Sequence, residues 1–380
     1  MAGHPPSAIV HPRRILVRGT NWLGDAVMTT PALLRLREKF PAAHVVLLVP
    51  EKLRDLWPQH PAVDEVISFA SGENVFTIGK KLRAGHFDLA LVLPNSPRSA
   101  LEVCLAGIPQ RVGYARPWRN LFLTQAIAPR ADAVKMQKRT VNEIRALVAA
   151  DVNRRTNRAF TSAATTAHHI HEYLHLAAAL GANAEPLAPQ LTVTPEEIEA
   201  AKKKFGLENI TVPVLGLNPG AEYGPAKRWP AERFIAAAKE IQQRTNCVWL
   251  IFGGKNDATL ADRIASGIQP PAASRQPQSL AGKTTLRELM ALMKICRVLL
   301  TNDTGPMHVA AALGTPVVVP FGSTSPELTG PGLPGDGRNH LIKSDAPCSP
   351  CFLRECPIDF RCLNGIAVKR VVAAVLQTVG

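Results

Sequence analysis

Aromatic residues make up only 5 % of this 380-residue chain. No stretch interleaves them with basic side chains in the way a base-stacking surface requires, so nucleic acid is not the expected partner. No apolar run approaches the roughly 18 residues that span a bilayer. The opening MAGHPPSAIVHPRR lacks the apolar core of a signal peptide, and a soluble cytoplasmic protein is expected. Neither a G-x-G-x-x-G fingerprint nor a P-loop lysine occurs, which weakens dehydrogenase and kinase readings. There is also no D-x-D pair to demand a divalent metal.

Acidic residues are in deficit: 30 against 44 lysines and arginines, a formal net charge of +14. The excess is local, with 15 basic and 5 acidic residues between Lys80 and Arg158. Such a field favours an anionic membrane surface or a phosphorylated lipid. Of seven cysteines, Cys104, Cys247 and Cys296 stand in apolar segments as core thiols. Cys348, Cys351, Cys356 and Cys362 form C-x2-C-x4-C-x5-C, open to a zinc site, a redox-sensitive pair or a loop staple. A structural loop is favoured and no metal is assigned, since no histidine intervenes and the cytosol disfavours stable disulfides.

The chain is long enough for two domains. RILVR at 14–18, VVLLV at 45–49 and LALVL at 89–93 alternate with helical patterns, the rhythm of a parallel sheet. After a helix-rich stretch from Ala128 to about Gly181, a second count begins with VPVLGLN and VWLIFGG. The expectation is α/β, two Rossmann-like domains at 1–185 and 186–380 facing across a cleft, the last helix packing back on the first domain. Ligands of such sheets bind outside the carboxyl ends of the strands.

The most informative stretch is CRVLLTNDTGPMHVAAALGTPVVVPFG at 296–322. It reads as strand (298–301), polar turn, helix (306–313) and buried strand (316–321). Thr304 and Gly305 occupy the cap and Pro306 the first turn, so free amides at that helix start suit a phosphate. Upstream, NPGAEYGPAKRWP offers Gly220 and Gly224 for close backbone approach, Glu222 for sugar hydroxyls and Lys227 as a point charge for a diphosphate. A solvated lysine is the alternative. Asp303 and His308 flank the turn. In GTNWLGD, Asp25 suits a helix cap as well as a catalytic base. Pro31 either kinks a helix begun near Asp25 or starts a new one capped by Thr30.

WLGDAVMTTPAL (22–33), LPNSPRSALEVCLAGIPQRVGY (93–114), NPGAEYGPAKRWP (218–230) and TNDTGPMHVAAALGTPVVVPFGSTSPELTGP (301–331) together resemble the bacterial lipopolysaccharide heptosyltransferases. The resemblance runs in order along nearly the whole chain, the cysteine-rich tail included. RPWR at 116–119 and HHIHEYLH are local departures. The likeness implies a GT-B glycosyltransferase of family 9 that moves L-glycero-D-manno-heptose from ADP-heptose to a heptose on the Kdo2–lipid A inner core, without a divalent metal. A different core acceptor is the alternative. It implies Asp25 as general base, Lys227 with Thr304, Gly305 and His308 around the donor diphosphate, and Gly220, Glu222 and Asp303 on adjoining donor loops. Asn21, Asn95, Arg98, Arg111 and Arg116 then become acceptor-side candidates, a solvated surface being the alternative for several. The site of action implied is the cytoplasmic surface of the inner membrane.

Overall fold

The computed structural model describes residues 11–151, 165–269, 275–333 and 335–380. The chain forms two compact units, Met1–Ala133 with His169–Thr192 and Val134–His168 with Val193–Gly380. In the first, β1 (Arg14–Arg18), β2 (His44–Pro50), β3 (Glu65–Phe69), β4 (Leu89–Val92), β5 (Gln110–Tyr114) and β6 (Gln125–Ile127) form one parallel sheet in the order β3-β2-β1-β4-β5-β6. In the second, β7 (Val214–Asn218), β8 (Val248–Ile251), β9 (Gln278–Ser279), β10 (Leu299–Thr301), β11 (Val317–Pro320) and β12 (His340–Ile342) run β12-β11-β10-β7-β8-β9, again all parallel. The two windings are the same. Strand order reverses between β1 and β4 and between β7 and β10, the points where such sheets open a crevice.

Short, continuous apolar runs make these strands because helices cover both sheet faces. Ile15, Leu16 and Val17 are fully buried, as are Leu89 to Val92 and Val317 to Val319. Each such valine, leucine or isoleucine side chain contributes about 1.5–3 kcal/mol. The βαβ unit expected at 296–322 forms as β10, a helix over Gly305–Ala312 and β11.

Pro31 resolves into a kink. Helices Leu23–Met28 and Thr30–Lys39 are joined through Thr29, which keeps a helical backbone. Pro31 has no N–H for the Val27 carbonyl; the Thr30 hydroxyl donates to that carbonyl instead, at 2.9 Å.

Helix Val141–Asp151, which precedes the expected boundary at 185, counts with the second unit. Ile144 packs with Cys348 and Cys351, and the Arg139 amide donates to the Cys351 carbonyl at 3.1 Å. Within the second unit the last helix, Val368–Val379, contributes Val371, Val372 and Val375 to the core of Leu215, Phe234 and Trp249.

Candidate active site

In the second unit the strands on either side of the reversal end side by side, with Thr301 of β10 in register with Asn218 of β7. Asn302 ties their loops together. Its amide donates to the Pro219 carbonyl at 2.7 Å and accepts from the Trp229 N–H at 3.0 Å, clamping both ends of the glycine-rich loop.

That loop delivers Lys227, whose Nζ stands 2.7 Å from Asp303 Oδ2, the two side chains being 14 % and 4 % exposed. The Thr324 hydroxyl donates to the same carboxylate oxygen. The ammonium also lies 4.9 Å from the Tyr223 ring centroid, and Tyr223 donates its hydroxyl to the Phe352 carbonyl at 2.7 Å. An ammonium has three donors, so Asp303 can aim Lys227 and leave donors for a second anion.

Beside this pair, Thr304 occupies the N-cap of helix Gly305–Ala312 in extended conformation, but its hydroxyl does not cap the helix. The positive end of the helix is thus not closed by its own cap residue. Pro306 lies in the first turn and His308 is buried in the helix. Glu222 is exposed on the neighbouring loop and makes no hydrogen bond to the described residues.

The glycines answer to protein neighbours. A Cβ on Gly220 would lie 2.5 Å from Asp257 Oδ2, and one on Gly224 would lie 2.5 Å from the Arg354 carbonyl oxygen, at a φ of +147°. Asp257, just beyond β8, accepts from the Gly254 amide at 3.0 Å and brings a carboxylate over Gly220.

The cysteine-rich segment braces these loops. The amides of Cys351 and Phe352 donate to the Ser323 carbonyl at 3.0 and 2.7 Å, and the Ala226 amide donates to the Arg354 carbonyl at 3.0 Å. All four cysteines are free thiols. Burial raises the Cys348, Cys351 and Cys362 thiols, and the neighbouring thiols raise them further, to about 12 at Cys362. Among the described residues no three histidine, cysteine or acidic side chains converge to hold a metal ion.

In the first unit, Asp25 stands half-buried in the first turn of Leu23–Met28. His169 and Tyr173, from the histidine-rich segment, lie close enough to feel its charge. Burial lowers the His169 pKa against the opposing pull of Asp25 and Glu172, and burial raises that of Tyr173.

Nearby, Glu102 is fully buried between Arg18 Nε at 2.8 Å and Arg98 Nε at 3.1 Å. Arg18 passes this order on to Asn21 Oδ1 at 2.9 Å. Arg18, Asn21, Lys52, Ser96 and Arg98 line a cavity of about 740 Å³. Asn95 accepts from the buried Arg119 at 3.2 Å; burial, then the charge of Arg116, lowers the Arg119 pKa to about 10. Arg116 follows β5, its guanidinium 5.8 Å from the Tyr114 ring centroid. Arg111 is engaged elsewhere, donating to the carbonyls of Phe122 and of Ile108, which precedes β5.

Residues 75–161 and 152–360 match the family described as glycosyltransferase family 9 (heptosyltransferase). The chain belongs to glycosyltransferase family 9. This glycosyltransferase is 32 % identical over 327 residues to lipopolysaccharide heptosyltransferase 2 of Salmonella typhimurium, covering 84 % of this chain and 85 % of the relative. To lipopolysaccharide heptosyltransferase 2 of Escherichia coli it is 31 % identical over 331 residues, again covering 84 % and 85 %. The solved structure of E. coli ADP-heptose LPS heptosyltransferase II superimposes with a TM-score of 0.76 at 27 % identity, over 96 % of this chain and 98 % of that one. The fold is therefore GT-B, as expected from the sequence.

For a family 9 glycosyltransferase the donor-side expectations converge: Lys227, Asp303, Thr304 and Gly305 meet at one helix start, with Gly220 and Glu222 on the adjoining loop. Asn21 and Arg98 share one cavity, Asn95 and Arg116 follow neighbouring strands, and Arg111 joins neither group. Sequence reasoning passed over Asp257, Asn302, Thr324 and His169. For Asp257 a signal existed: an acidic residue just past the second strand of a Rossmann-like unit.

Proposed function

We propose that this glycosyltransferase moves L-glycero-D-manno-heptose from ADP-heptose to the first heptose of the Kdo2–lipid A inner core, with inversion, at the cytoplasmic face of the inner membrane. The observation that carries this reading is the likeness to lipopolysaccharide heptosyltransferase 2 over 84 % of the chain, with Lys227 and Asp303 paired at a helix start where the strand order reverses.

The chemistry follows from the groups present. A sugar hydroxyl is far too weak an acid to ionise near neutrality, so a carboxylate must take its proton as it attacks the anomeric carbon. Asp25 has that role. A single in-line displacement inverts the configuration. As the bond to the leaving ADP breaks, its diphosphate gains charge, which Lys227 and the amides at Thr304 and Gly305 stabilise from fixed positions. The reading assigns no divalent metal, since these groups supply the positive charge. Glu222 and Asp257 are placed to accept hydroxyls of the donor. His308, within the first turn of the same helix, completes the positions around the diphosphate. On the acceptor side, Asn21, Asn95, Arg98 and Arg116 face the core sugars and their anionic groups, with Arg18 and Arg119 holding them.

The test is an acceptor series with ADP-heptose: Kdo2–lipid A, the same acceptor carrying one heptose, and one carrying two. Product mass rising by one heptose on the singly heptosylated acceptor supports the reading. Transfer to another member alone would assign a different core acceptor, and transfer to none would overturn it.

A further inference from the structure

The cysteine-rich segment of the second unit brings a further cation to the Lys227 loop. Arg354 holds its guanidinium 5.2 Å from the centroid of the Tyr223 ring, and Lys227 Nζ stands 4.9 Å from the same centroid. Both cations therefore lie against one aromatic ring. They differ in their partners. Lys227 is paired with the buried Asp303, whereas Arg354 is exposed and its guanidinium makes no ion pair or hydrogen bond among the described residues.

The backbone of Arg354 is fixed although its side chain is not. Its carbonyl accepts from the amide of Ala226, one residue before Lys227, at 3.0 Å. Gly224 permits that approach, since a Cβ there would lie 2.5 Å from the same oxygen. Two residues earlier, the Phe352 carbonyl accepts from the Tyr223 hydroxyl at 2.7 Å, and the Phe352 amide donates to the Ser323 carbonyl at 2.7 Å. Ser323 adjoins Thr324, whose hydroxyl reaches Asp303. Arg354 is thus carried to the Lys227–Asp303 pair on a third loop, tied to both sides of it.

The balance of charge gives that arginine a task. Asp303 offsets Lys227, so the pair brings no net positive charge to an incoming diphosphate, and the helix end adds only a partial pole of roughly half an elementary charge. A nucleotide-sugar diphosphate is anionic when bound and gains further charge as the sugar leaves. A guanidinium offers a planar fork of donors that matches phosphate oxygens two at a time. We infer that Arg354 is a further donor-binding and catalytic residue, whose guanidinium contacts the diphosphate of the nucleotide-sugar and stabilises the charge that develops on the leaving ADP. This rests on the reading of the site as one for ADP-heptose, and its first test needs neither heptose nor acceptor.

ADP is titrated calorimetrically into the full-length wild type and Arg354→Gln at several salt concentrations, and transfer from ADP-heptose is then followed in both. The side chain removed holds no other part of the chain by a hydrogen bond, so the backbone brace is kept; a thermal melt checks it. The variant should bind ADP roughly tenfold more weakly and with a shallower dependence on salt, since one charged contact to phosphate is gone. Its kcat should fall by roughly tenfold or more. Unchanged ADP affinity overturns the inference, as does an unchanged kcat. Weaker binding with the salt dependence of the wild type also overturns it, and leaves Arg354 as part of the brace alone. A wild type that binds ADP through Arg354 yet transfers no heptose would sink the function proposed above and leave the phosphate contact standing; equal heptose transfer by the two proteins would do the reverse.

Discussion

Lys227 Nζ and Asp303 Oδ2 stand 2.7 Å apart at the start of helix Gly305–Ala312, with the Thr324 hydroxyl on the same carboxylate. The carboxylate aims the lysine and offsets one charge, and the uncapped helix end supplies a second positive pole. Lys227→Ala should therefore cut kcat by roughly 10²–10³, the scale for removing one fixed donor from developing charge, and weaken ADP-heptose binding. Steady-state kinetics with a donor titration checks this; a normal rate and a normal donor constant would remove Lys227 from the site.

Asp303→Ala tests the other half of the pair. It leaves a largely buried ammonium without its partner and should cost about 3 kcal/mol of stability. Urea denaturation reads the loss. Lys227→Met in the same background should recover much of it, because the stranded charge is then gone.

Gly220→Ala should destabilise by about 1–3 kcal/mol, since the new methyl would press on the Asp257 carboxylate. Asp257→Ala in the same chain should remove most of that penalty. A thermal melt of the four proteins gives the coupling between the two sites, and no coupling would mean the strain lies elsewhere.

His60 predicts an acid limb of stability. Burial lowers its pKa from 6.5 to about 4, partly opposed by the Gln190 backbone. The unfolded chain binds the proton first on acidification, so the contribution is complete above about pH 6.5 and is lost as pH falls towards 4. It amounts to about 3 kcal/mol. Denaturation midpoints across that window should fall in the wild type and fall less in His60→Asn; parallel slopes would contradict the assignment.

Much of this architecture was legible in the residues themselves. β1, β4 and the β10–helix–β11 unit were readable because apolar runs of strand length lie between turn residues, and parallel sheets buried on both faces impose that pattern. The Lys227 loop was readable because proline and glycine confine it beside a helix start. Pro31 was not, since its kink depends on a hydroxyl one residue away taking over a carbonyl. Gly220 suggested room for a ligand, whereas the space is taken by Asp257, 37 positions along the chain and visible only once β7 and β8 pair. Arg111 looked like an acceptor contact because it is basic and in a basic stretch. Its place early in β5 instead aims it at the carbonyls of Ile108 and Phe122. His169 could be placed near Asp25 only by the packing of helix Ile170–Ala178 on helix Thr30–Lys39.

We propose that one carboxylate, Asp25, takes the proton of the attacking sugar hydroxyl. Release of ADP from ADP-heptose, followed with and without heptosylated Kdo2–lipid A in the wild type and in Asp25→Asn, checks this role. ADP release that requires the acceptor and falls by roughly a hundredfold or more in Asp25→Asn, with donor binding retained, is the predicted result. Release at the same rate without acceptor, or undiminished in the variant, would contradict it.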